Sequence, residues 1–426
     1  MKHTLNQLDP LTRRSFIEKS AKSALGVSLM GGILGHKTAA MANVGPGKAK
    51  HVIYLFMNGG ITHLDTFDPK TDSEVKGPTT PISTSADGVQ IAQYLPEMAK
   101  QMHHCTIIRS MNSHTGVHES GQYIMRTAYN QRGTITHPSL GPLAQRLLGK
   151  TESRLPDSVN IGSGGGHPGA GFLPPAMSPI PIGDPSRGLQ NARPLTTQSQ
   201  FDQRIRLMNE FDATFRERFP HDDVKAYTEF YDETLNLLQG EDMLAFDITQ
   251  EPQNVRERYG NDRFGQGCML ARRLVEHGVR FIEVEYGGWD MHNQIDGGMR
   301  NRAPVLDRGM ATLIADLDER GLLDETMVVL GSEFGRTPRV NQNAGRDHHP
   351  RAFSTVFAGG GVKGGFVLGS TDARAYSVTD RQVSVQDFIA TVGYGMGMDT
   401  EEVIYSPSGR PFTVGDSGKP ATEIFA

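Results

Sequence analysis

The sequence predicts an α/β fold with a central, mostly parallel sheet and helices on both faces. Apolar strand-like runs alternate with amphipathic helical segments, which is the pattern of βαβ units. Residues 51–57 (HVIYLFM) form a continuous apolar run that ends at Asn58-Gly59-Gly60, as expected for a buried parallel strand followed by a tight turn. The chain has 426 residues, 37% of them hydrophobic, which is enough to bury a large core. Without internal repeats or a clean linker, residues 43–426 are expected to form one domain.

The other elements follow from hydrophobic periodicity and from turn residues. Residues 151–200 are rich in Gly, Pro and Ser and predict a long irregular excursion. A helix that runs through residue 126 is expected after the segment 112–122. The remaining strands are expected at 106–109, 280–286, 326–330 and 354–358, and the remaining helical segments at 201–245, 264–276, 302–319 and 385–394.

The N-terminal residues 1–42 predict a twin-arginine signal peptide. Arg13-Arg14 is followed by Phe16, then by a short, weakly apolar stretch and the cleavage signature Ala40-Met41-Ala42. The apolar stretch is too short and too rich in glycine to span a membrane. We therefore expect the twin-arginine machinery to export the protein to the periplasm or the extracellular space, where a disulfide between Cys105 and Cys268 is allowed but not required.

Composition excludes some classes of protein. The formal net charge of −5, from 43 Lys and Arg against 48 Asp and Glu, argues against a non-specific nucleic-acid binder. Two cysteines cannot build a disulfide framework or a cysteine-rich zinc site.

Polar clusters follow the strongest predicted strands. Because ligands bind beyond the carboxyl ends of parallel strands, these clusters are expected to converge on a divalent cation such as zinc, manganese, iron, magnesium or calcium. The competing interpretation is that each Asp or His caps a helix or forms a turn. At most one of His348 and His349 is expected to point inward, because neighbours on an extended segment face opposite sides. The candidate ligands are Asn58, Asp65, Asp290, His292, Glu333, His348 and His349.

The segment 112–122 is dense in hydroxyl and imidazole groups and precedes a predicted helix. It therefore predicts a nucleophile or an anion site, although simple N-capping by Ser113 or Ser120 explains it equally well.

Four motifs in this sequence are distinctive: FMNGGITHLDTFDPK, GGWDMHNQ, GSEFGRTP and GRDHHPRAFSTVFAGGG. Through these motifs the chain resembles the DUF1501 family of exported bacterial proteins, which is itself similar to the alkaline phosphatase/sulfatase superfamily. The resemblance covers nearly all of residues 43–426 and implies a central sheet with helices on both faces. It also implies hydrolysis of sulfate or phosphate esters with divalent metal at the strand ends.

The resemblance assigns roles residue by residue. Asn58 stands where the superfamily has its first-strand Asp ligand, with Asp65 as a substitute, and Asp290 and His292 stand at an Asp and His ligand pair. Glu333-Phe334 occupies the place of a paired Asp and His or Asn, and His348 or His349 fits the late histidine. The stretch 118–128 resembles the nucleophile helix of sulfatases and puts His118 at their modified cysteine or serine. Hydroxyl alternatives there are Ser113, Thr115 and Ser120.

Two functions are consistent with this sequence. The first is an exported metal-dependent hydrolase of small-molecule or polysaccharide sulfate or phosphate esters, in which Arg336 helps to hold the anion. The alternative is a non-catalytic exported binding protein on the same scaffold, with an anionic polysaccharide as its ligand. It is motivated by Asn58, by Phe334 and by the missing C/S-x-P-x-R signature of sulfatases.

Overall fold

The computed structural model describes residues 47–162, 166–189, 196–219, 221, 224, 228 and 240–426. The predicted leader, residues 1–42, lies outside these residues. Within the described part of the chain, no helix combines the length and the apolar character that a membrane span requires.

Nine strands of the described residues form the central sheet: β1 His51–Asn58, β2 Cys105–Asn112, β3 Ser158–Ile161, β4 Ile180–Ile182, β5 Phe281–Gly287, β6 Thr326–Gly331, β7 Phe353–Ala358, β8 Phe366–Leu368 and β9 Val383–Ser384. Their order in the sheet is β8-β2-β7-β6-β1-β5-β3-β4, with β9 paired to β2. Every neighbouring pair is parallel except the two pairs that β7 makes, with β2 and β6.

The strand β1 lies at the centre of the sheet, as its uninterrupted apolar sequence requires. Its residues Val52 to Met57 are buried on both faces. It pairs with β5 and β6 in a register that sets Asn58 opposite Gly287 and Phe56 opposite Gly331. The three strands therefore end level with one another, and the polar segments that follow them begin at the same edge.

The direction of β7 brings a fourth segment to this edge. Because β7 is antiparallel to β2 and β6, its first residue lies at the end where they finish, with Phe353 opposite Met111. The segment 346–349, which precedes β7, is thereby placed beside the residues that follow β1, β5 and β6. Had β7 been parallel, this segment would lie at the opposite edge.

Eight α-helices have bounds within the described residues: α1 Pro96–Gln101, α2 His118–Thr127, α3 Leu140–Leu148, α4 Gln198–Arg218, α5 Gln253–Tyr259, α6 Arg263–Glu276, α7 Ile295–Glu319 and α8 Val385–Gly395. Helices α1, α6 and α7 pack against one face of the sheet and α2, α3 and α8 against the other, each layer with its own apolar cluster. The predicted fold class, a mostly parallel sheet with helices on both faces, is confirmed.

Four two-stranded hairpins complete the described structure: Pro81–Ser83 with Gln90–Ala92, Gly335–Arg336 with His348–His349, Ser370–Thr371 with Val378–Asp380, and Ile404–Tyr405 with Pro411–Phe412. The second hairpin ties the residues after β6 to those before β7.

The structure differs from the sequence prediction in several places, and the short elements α1, α5, β8 and β9 were not predicted. The expected irregular excursion contains β3 and β4, which are too short to stand out among Gly, Pro and Ser. Helix α3 was not predicted, because its first turn contains Gly141 and Pro142. Helix α7 begins at Ile295 rather than at 302, since glycines in its first turns hide the helical period. The expected helix over 201–245 is described as Gln198–Arg218, and most of 220–239 lies outside the described residues.

Both cysteines are free and buried, and both lie in the apolar cluster that also holds α6 and α7. The disulfide that the sequence allowed is therefore absent.

Candidate metal centre

The loop after β5 carries Asp290, and the chain's single tryptophan anchors this loop. Trp289 is buried, its ring stands edge-on to Tyr286 at 5.5 Å, and its backbone N–H donates to Asn58 O at 3.3 Å. With its neighbour fixed in the core, Asp290 is turned outward, and 46% of its side chain is exposed.

Three imidazole nitrogens surround one oxygen of Asp290. The distances from Asp290 Oδ1 are 3.4 Å to His118 Nε2, 3.0 Å to His292 Nε2 and 3.3 Å to His348 Nε2. The Nε2 atoms of His292 and His348 are themselves only 3.0 Å apart. One ligand atom from each of His118, Asp290 and His348 lies within 4.8 Å of the others, which is close enough for all three to hold one ion. The four side chains come from the segments that precede β7, follow β5 and begin α2.

Each of these histidines binds a protein oxygen through its other ring nitrogen. The Nδ1 partners are Glu333 Oε1 for His118 at 2.8 Å, Asp347 Oδ1 for His292 at 2.7 Å and Gly116 O for His348 at 2.7 Å. Ionised carboxylates and backbone carbonyls only accept, so each Nδ1 donates. In the neutral ring Nε2 is then left with its lone pair, as in the carboxylate–histidine–metal arrangement.

This arrangement fits a cation. His118 Nε2 is buried without a hydrogen-bond partner among the described residues, and the His292 and His348 Nε2 lone pairs face each other across 3.0 Å. When both rings are neutral, these lone pairs repel each other unless a cation or a proton lies between them. Arg336 Nη1, 3.4 Å from His292 Nε2, brings positive charge to one side of this contact. Three imidazoles and one carboxylate are a donor set suited to zinc, iron or manganese.

The pKa shifts of Asp290 and His348, but not that of His118, favour the protonation states of metal ligands. Burial opposes the ionisation of Asp290, but the hydrogen bond and charge of Arg336 outweigh it and lower the pKa to about 2. Burial lowers the pKa of His348, which favours its neutral, ligating form. The hydrogen bond from His118 to Glu333 raises the pKa of His118, so a cation at this point would compete with a proton for its Nε2.

Arg336 lies behind Asp290. The side chain is fully buried and donates to Asp290 Oδ1 at 2.6 Å, to Gly60 O at 2.8 Å and to Gly59 O. A further N–H donates to Arg346 O at 3.1 Å. Since its donors face protein atoms, Arg336 supports Asp290 from the buried side and, contrary to the expectation from the sequence, does not present its guanidinium to an anion.

Glu333 supports His118. It is buried, and besides the His118 ring it accepts from the Gly59 N–H at 2.8 Å and from Ser332 Oγ at 3.1 Å. Helix α2 approaches closely because residue 121 is glycine: a Cβ there would lie 2.9 Å from Glu333 Cβ. Gly121 therefore sets the position of His118, a role that only the structure reveals.

Asn58 and Phe334 stand beside the centre without joining it. Asn58 accepts from Gln122 Nε2 at 2.7 Å and donates to Glu285 Oε1 at 2.9 Å, so both the oxygen and the nitrogen of its amide are hydrogen-bonded. The Phe334 ring packs against His118 at 5.0 Å and His348 at 4.7 Å. Asn58 is therefore not among the side chains that converge on Asp290, and Phe334 offers no ligand atom.

Two expected ligands lie elsewhere. Asp65 is paired with Arg346 at 2.7 Å, and its oxygens also accept from Thr62 and Thr79. His349 Nε2 lies 2.8 Å from Tyr376 O, on the other side of the hairpin from His348. The two adjacent histidines thus face different surroundings, as expected for an extended segment.

The expected hydroxyl groups form local turns. Ser113 Oγ accepts from the Thr115 N–H at 3.4 Å, and Thr115 Oγ1 accepts from the Val117 N–H at 3.2 Å. Among the described residues, neither these hydroxyls nor that of Ser120 hydrogen-bonds to Asp290 or to the three histidines. Helix α2 begins after Val117 without a side-chain cap, so neither Ser113 nor Ser120 is its N-cap.

Several solved structures share partial similarity with this chain. The lipoteichoic acid synthase LtaP from Listeria monocytogenes is 10% identical over 90% of this chain and 79% of that chain, with a TM-score of 0.40. The PsFucS1 sulfatase from Pseudoalteromonas sp. is 12% identical over 98% and 80%, with a TM-score of 0.36. The phosphonate monoester hydrolase SpPMH from Silicibacter pomeroyi is 10% identical over 88% and 76%, with a TM-score of 0.33. Similarity at this level carries no argument about activity.

No curated protein matches this sequence. One family model does, over residues 49–425, and its description is "Protein of unknown function (DUF1501)". This match includes every residue of the candidate metal centre. The chain therefore belongs to the DUF1501 family.

Proposed function

We propose that this protein is a divalent-metal-dependent hydrolase of sulfate or phosphate esters that acts outside the cytoplasm. The observation that carries the proposal is the convergence of three imidazole Nε2 atoms on Asp290 Oδ1, with each Nδ1 held by an acceptor. A cation bound there would act as a Lewis acid towards an ester oxygen or water.

The exposure of the centre supports a catalytic rather than a structural ion. Structural zinc sites are closed, whereas catalytic sites leave one position for water or substrate. Here 46% of the Asp290 side chain and 38% of the His292 side chain are exposed. Solvent and substrate therefore reach the side of the centre away from Arg336 and Glu333.

The chain's own residues would have two tasks, to orient the imidazoles and to fix Asp290. Glu333, Asp347 and the Gly116 carbonyl hold the imidazoles in the tautomer that leaves Nε2 free. Arg336 fixes Asp290 and keeps it ionised. Because His118 is used as a ligand and no hydroxyl group adjoins Asp290 among the described residues, we propose that water rather than a side chain attacks the ester.

The test is metal content together with turnover. Full-length protein purified without chelator is expected to hold about one divalent ion per chain, measured by mass spectrometry of the metals. It is also expected to hydrolyse 4-nitrophenyl sulfate or 4-nitrophenyl phosphate. The variants Asp290→Asn and His348→Gln should lose both the ion and turnover, while the matched control His349→Gln should keep both.

The outcomes separate the two candidate functions. An ion without turnover on either ester class would favour the non-catalytic binding protein. Failure of the wild type to bind any of zinc, manganese, iron, magnesium or calcium would overturn the metal centre itself.

Export by the twin-arginine route is part of the proposal and rests on residues 13–42 alone. Replacing Arg13 and Arg14 by lysine is expected to retain the protein in the cytoplasm, as cell fractionation would show.

A further inference from the structure

A cleft of about 790 Å³ opens along the loop that carries Asp290, where Gly288 and Met291 line it, and its volume is within the range of roughly 300–1,000 Å³ usual for small-molecule sites. It lies beyond the carboxyl ends of β1, β3 and β5, where ligands bind in α/β sheets. Asn58 forms part of its wall and also hydrogen-bonds to Gln122, which is on the same face of α2 as His118. Gly288, two residues before Asp290, lines it as well.

Arg302 is the distinctive charge in this cleft. Its guanidinium carbon lies 5.7 Å from the centre of the Tyr286 ring, and Tyr286 in turn stacks on Phe264 at 4.9 Å. No carboxylate of the described residues forms an ion pair with Arg302. The other charged groups of the lining all have partners: Asp262 pairs with Arg308, Arg263 with Asp184, and Glu285 with Asn58 and Arg126.

The loop that carries Asp290 is shaped around this guanidinium. Gly288 has a φ of +91°, and a Cβ at this position would lie 2.5 Å from Arg302 Cζ. Only glycine adopts this positive φ readily and also leaves the space that the Arg302 side chain occupies. Consecutive Cα atoms are about 3.8 Å apart, so Gly288 and Asp290 are separated by less than about 8 Å. The guanidinium therefore lies against the loop that carries Asp290, two residues before this metal-ligand candidate.

We propose that this cleft binds the part of the substrate beyond the scissile ester, and that Arg302 pairs there with a second anionic group. The substrate class is then a compact molecule with two anionic groups, such as a sugar that carries two phosphate or sulfate esters. The Tyr286–Phe264 pair provides an apolar wall for the ring between them. This inference rests on the proposed function, because it takes the metal centre as the place of the first anion.

The experiment compares two probes that differ by one anionic group, glucose 6-phosphate and glucose 1,6-bisphosphate. Binding to the full-length protein is measured by calorimetry, both as purified and after chelator treatment. Replacement Arg302→Gln is expected to weaken bisphosphate binding by at least about tenfold, as the loss of a charge-assisted hydrogen bond would. It should leave monophosphate binding within about twofold, since the metal centre holds that group.

The matched control is Arg300→Gln on the same helix. Arg300 is 70% exposed, pairs with Asp296 and does not line the cleft, so its replacement should leave both affinities unchanged. Equal losses in the two variants would indicate a general charge effect and overturn the proposal. An unchanged bisphosphate affinity in Arg302→Gln, or no bisphosphate binding by the wild type, would overturn it as well.

The chelator-treated sample separates this inference from the proposed function. Absence of metal and of turnover, with an Arg302-dependent preference for the bisphosphate, would refute the hydrolase while retaining the cleft. Metal-dependent turnover without that preference would retain the hydrolase and refute the role of Arg302.

Discussion

Two carboxylates follow central strands of the sheet and both pair with an arginine, yet their surroundings differ. Asp65 and Arg346 are completely buried and 2.7 Å apart, and two threonine hydroxyls complete the contacts of the carboxylate. Asp290 also pairs with a buried arginine, Arg336, but solvent reaches nearly half of its side chain. The remaining contacts of Asp290 are to the Nε2 atoms of three histidines, and these atoms carry no proton when the rings are neutral and Nδ1 is the donor.

The comparison of Asp65 with Asp290 shows what distinguishes a candidate metal site from a buried ion pair built from the same types of residue. Around Asp65 every donor meets an acceptor, which makes the cluster a neutral, dry support for the loop after β1. Around Asp290 several acceptors face one another and face solvent, which leaves a place for a cation. Residue type alone predicted both clusters as candidate ligands, and only the pairing of donors with acceptors separates them.

The largest expected effect is on the buried pair. Replacing Arg346 by methionine leaves Asp65 charged and unpaired in the interior, and we expect a loss of about 3–5 kcal/mol in the free energy of unfolding. Urea denaturation in the presence of a chelator measures this loss without a contribution from bound metal.

The comparison variant is Asp290→Asn, with an expected loss of about 1 kcal/mol, because the amide oxygen still accepts from Arg336 and part of the side chain is hydrated. Equal losses for the two variants would contradict the contrast between the clusters.

The next effect concerns pH and His63, which lies two residues before Asp65. His63 is buried, with Nε2 3.2 Å from Ala375 O and with Nδ1 unpartnered among the described residues.

Burial lowers the pKa of His63 to about 4, against about 6.5 in the unfolded chain. The unfolded state therefore binds more protons between these values. Stability from the neutral ring is fully present above pH 6.5 and is lost as pH falls towards 4. By pH 5 this loss is expected to reach about 2 kcal/mol.

The measurement is urea denaturation of chelator-treated protein at pH 7 and pH 5. The variant His63→Gln removes the titrating group and keeps an N–H donor, so its stability should fall less between the two pH values than that of the wild type. Identical falls would show that His63 does not titrate as its burial implies.

The sequence predicted the strands that build the site because these are the most apolar. Residues 51–57, 280–286 and 326–330 lie within or nearly coincide with β1, β5 and β6, and the candidate ligands follow them as expected. The direction of β7 was not predictable, since an apolar run of six residues does not indicate whether a strand is parallel or antiparallel. That direction nevertheless decides whether His348 can reach Asp290.

The roles of His118 and Asp65 depend on partners far away in the chain. The Nδ1 partner of His118 is Glu333, 215 positions away, and Asp65 pairs with Arg346, 281 positions away. No local pattern reports such pairings. The resemblance to a nucleophile helix proposed His118 as a nucleophile position, whereas the hydrogen bond to Glu333 and an Nε2 without a hydrogen-bond partner among the described residues make it a ligand candidate.

The smallest expected effects compare the two carboxylates that orient imidazoles. Glu333 is buried beside His118, whereas 53% of the Asp347 side chain is exposed beside His292. Replacing Glu333 by glutamine should weaken metal binding by about 10–100-fold, the usual cost of losing a partner that orients a ligand. Replacing Asp347 by asparagine should cost less than about tenfold, since solvent screens its charge and the amide oxygen still accepts from Nδ1. Titration of chelator-treated protein with zinc against a competing chelator measures both affinities. A larger effect at Asp347 than at Glu333 would mean that His292, rather than His118, is the histidine on which ion binding chiefly depends.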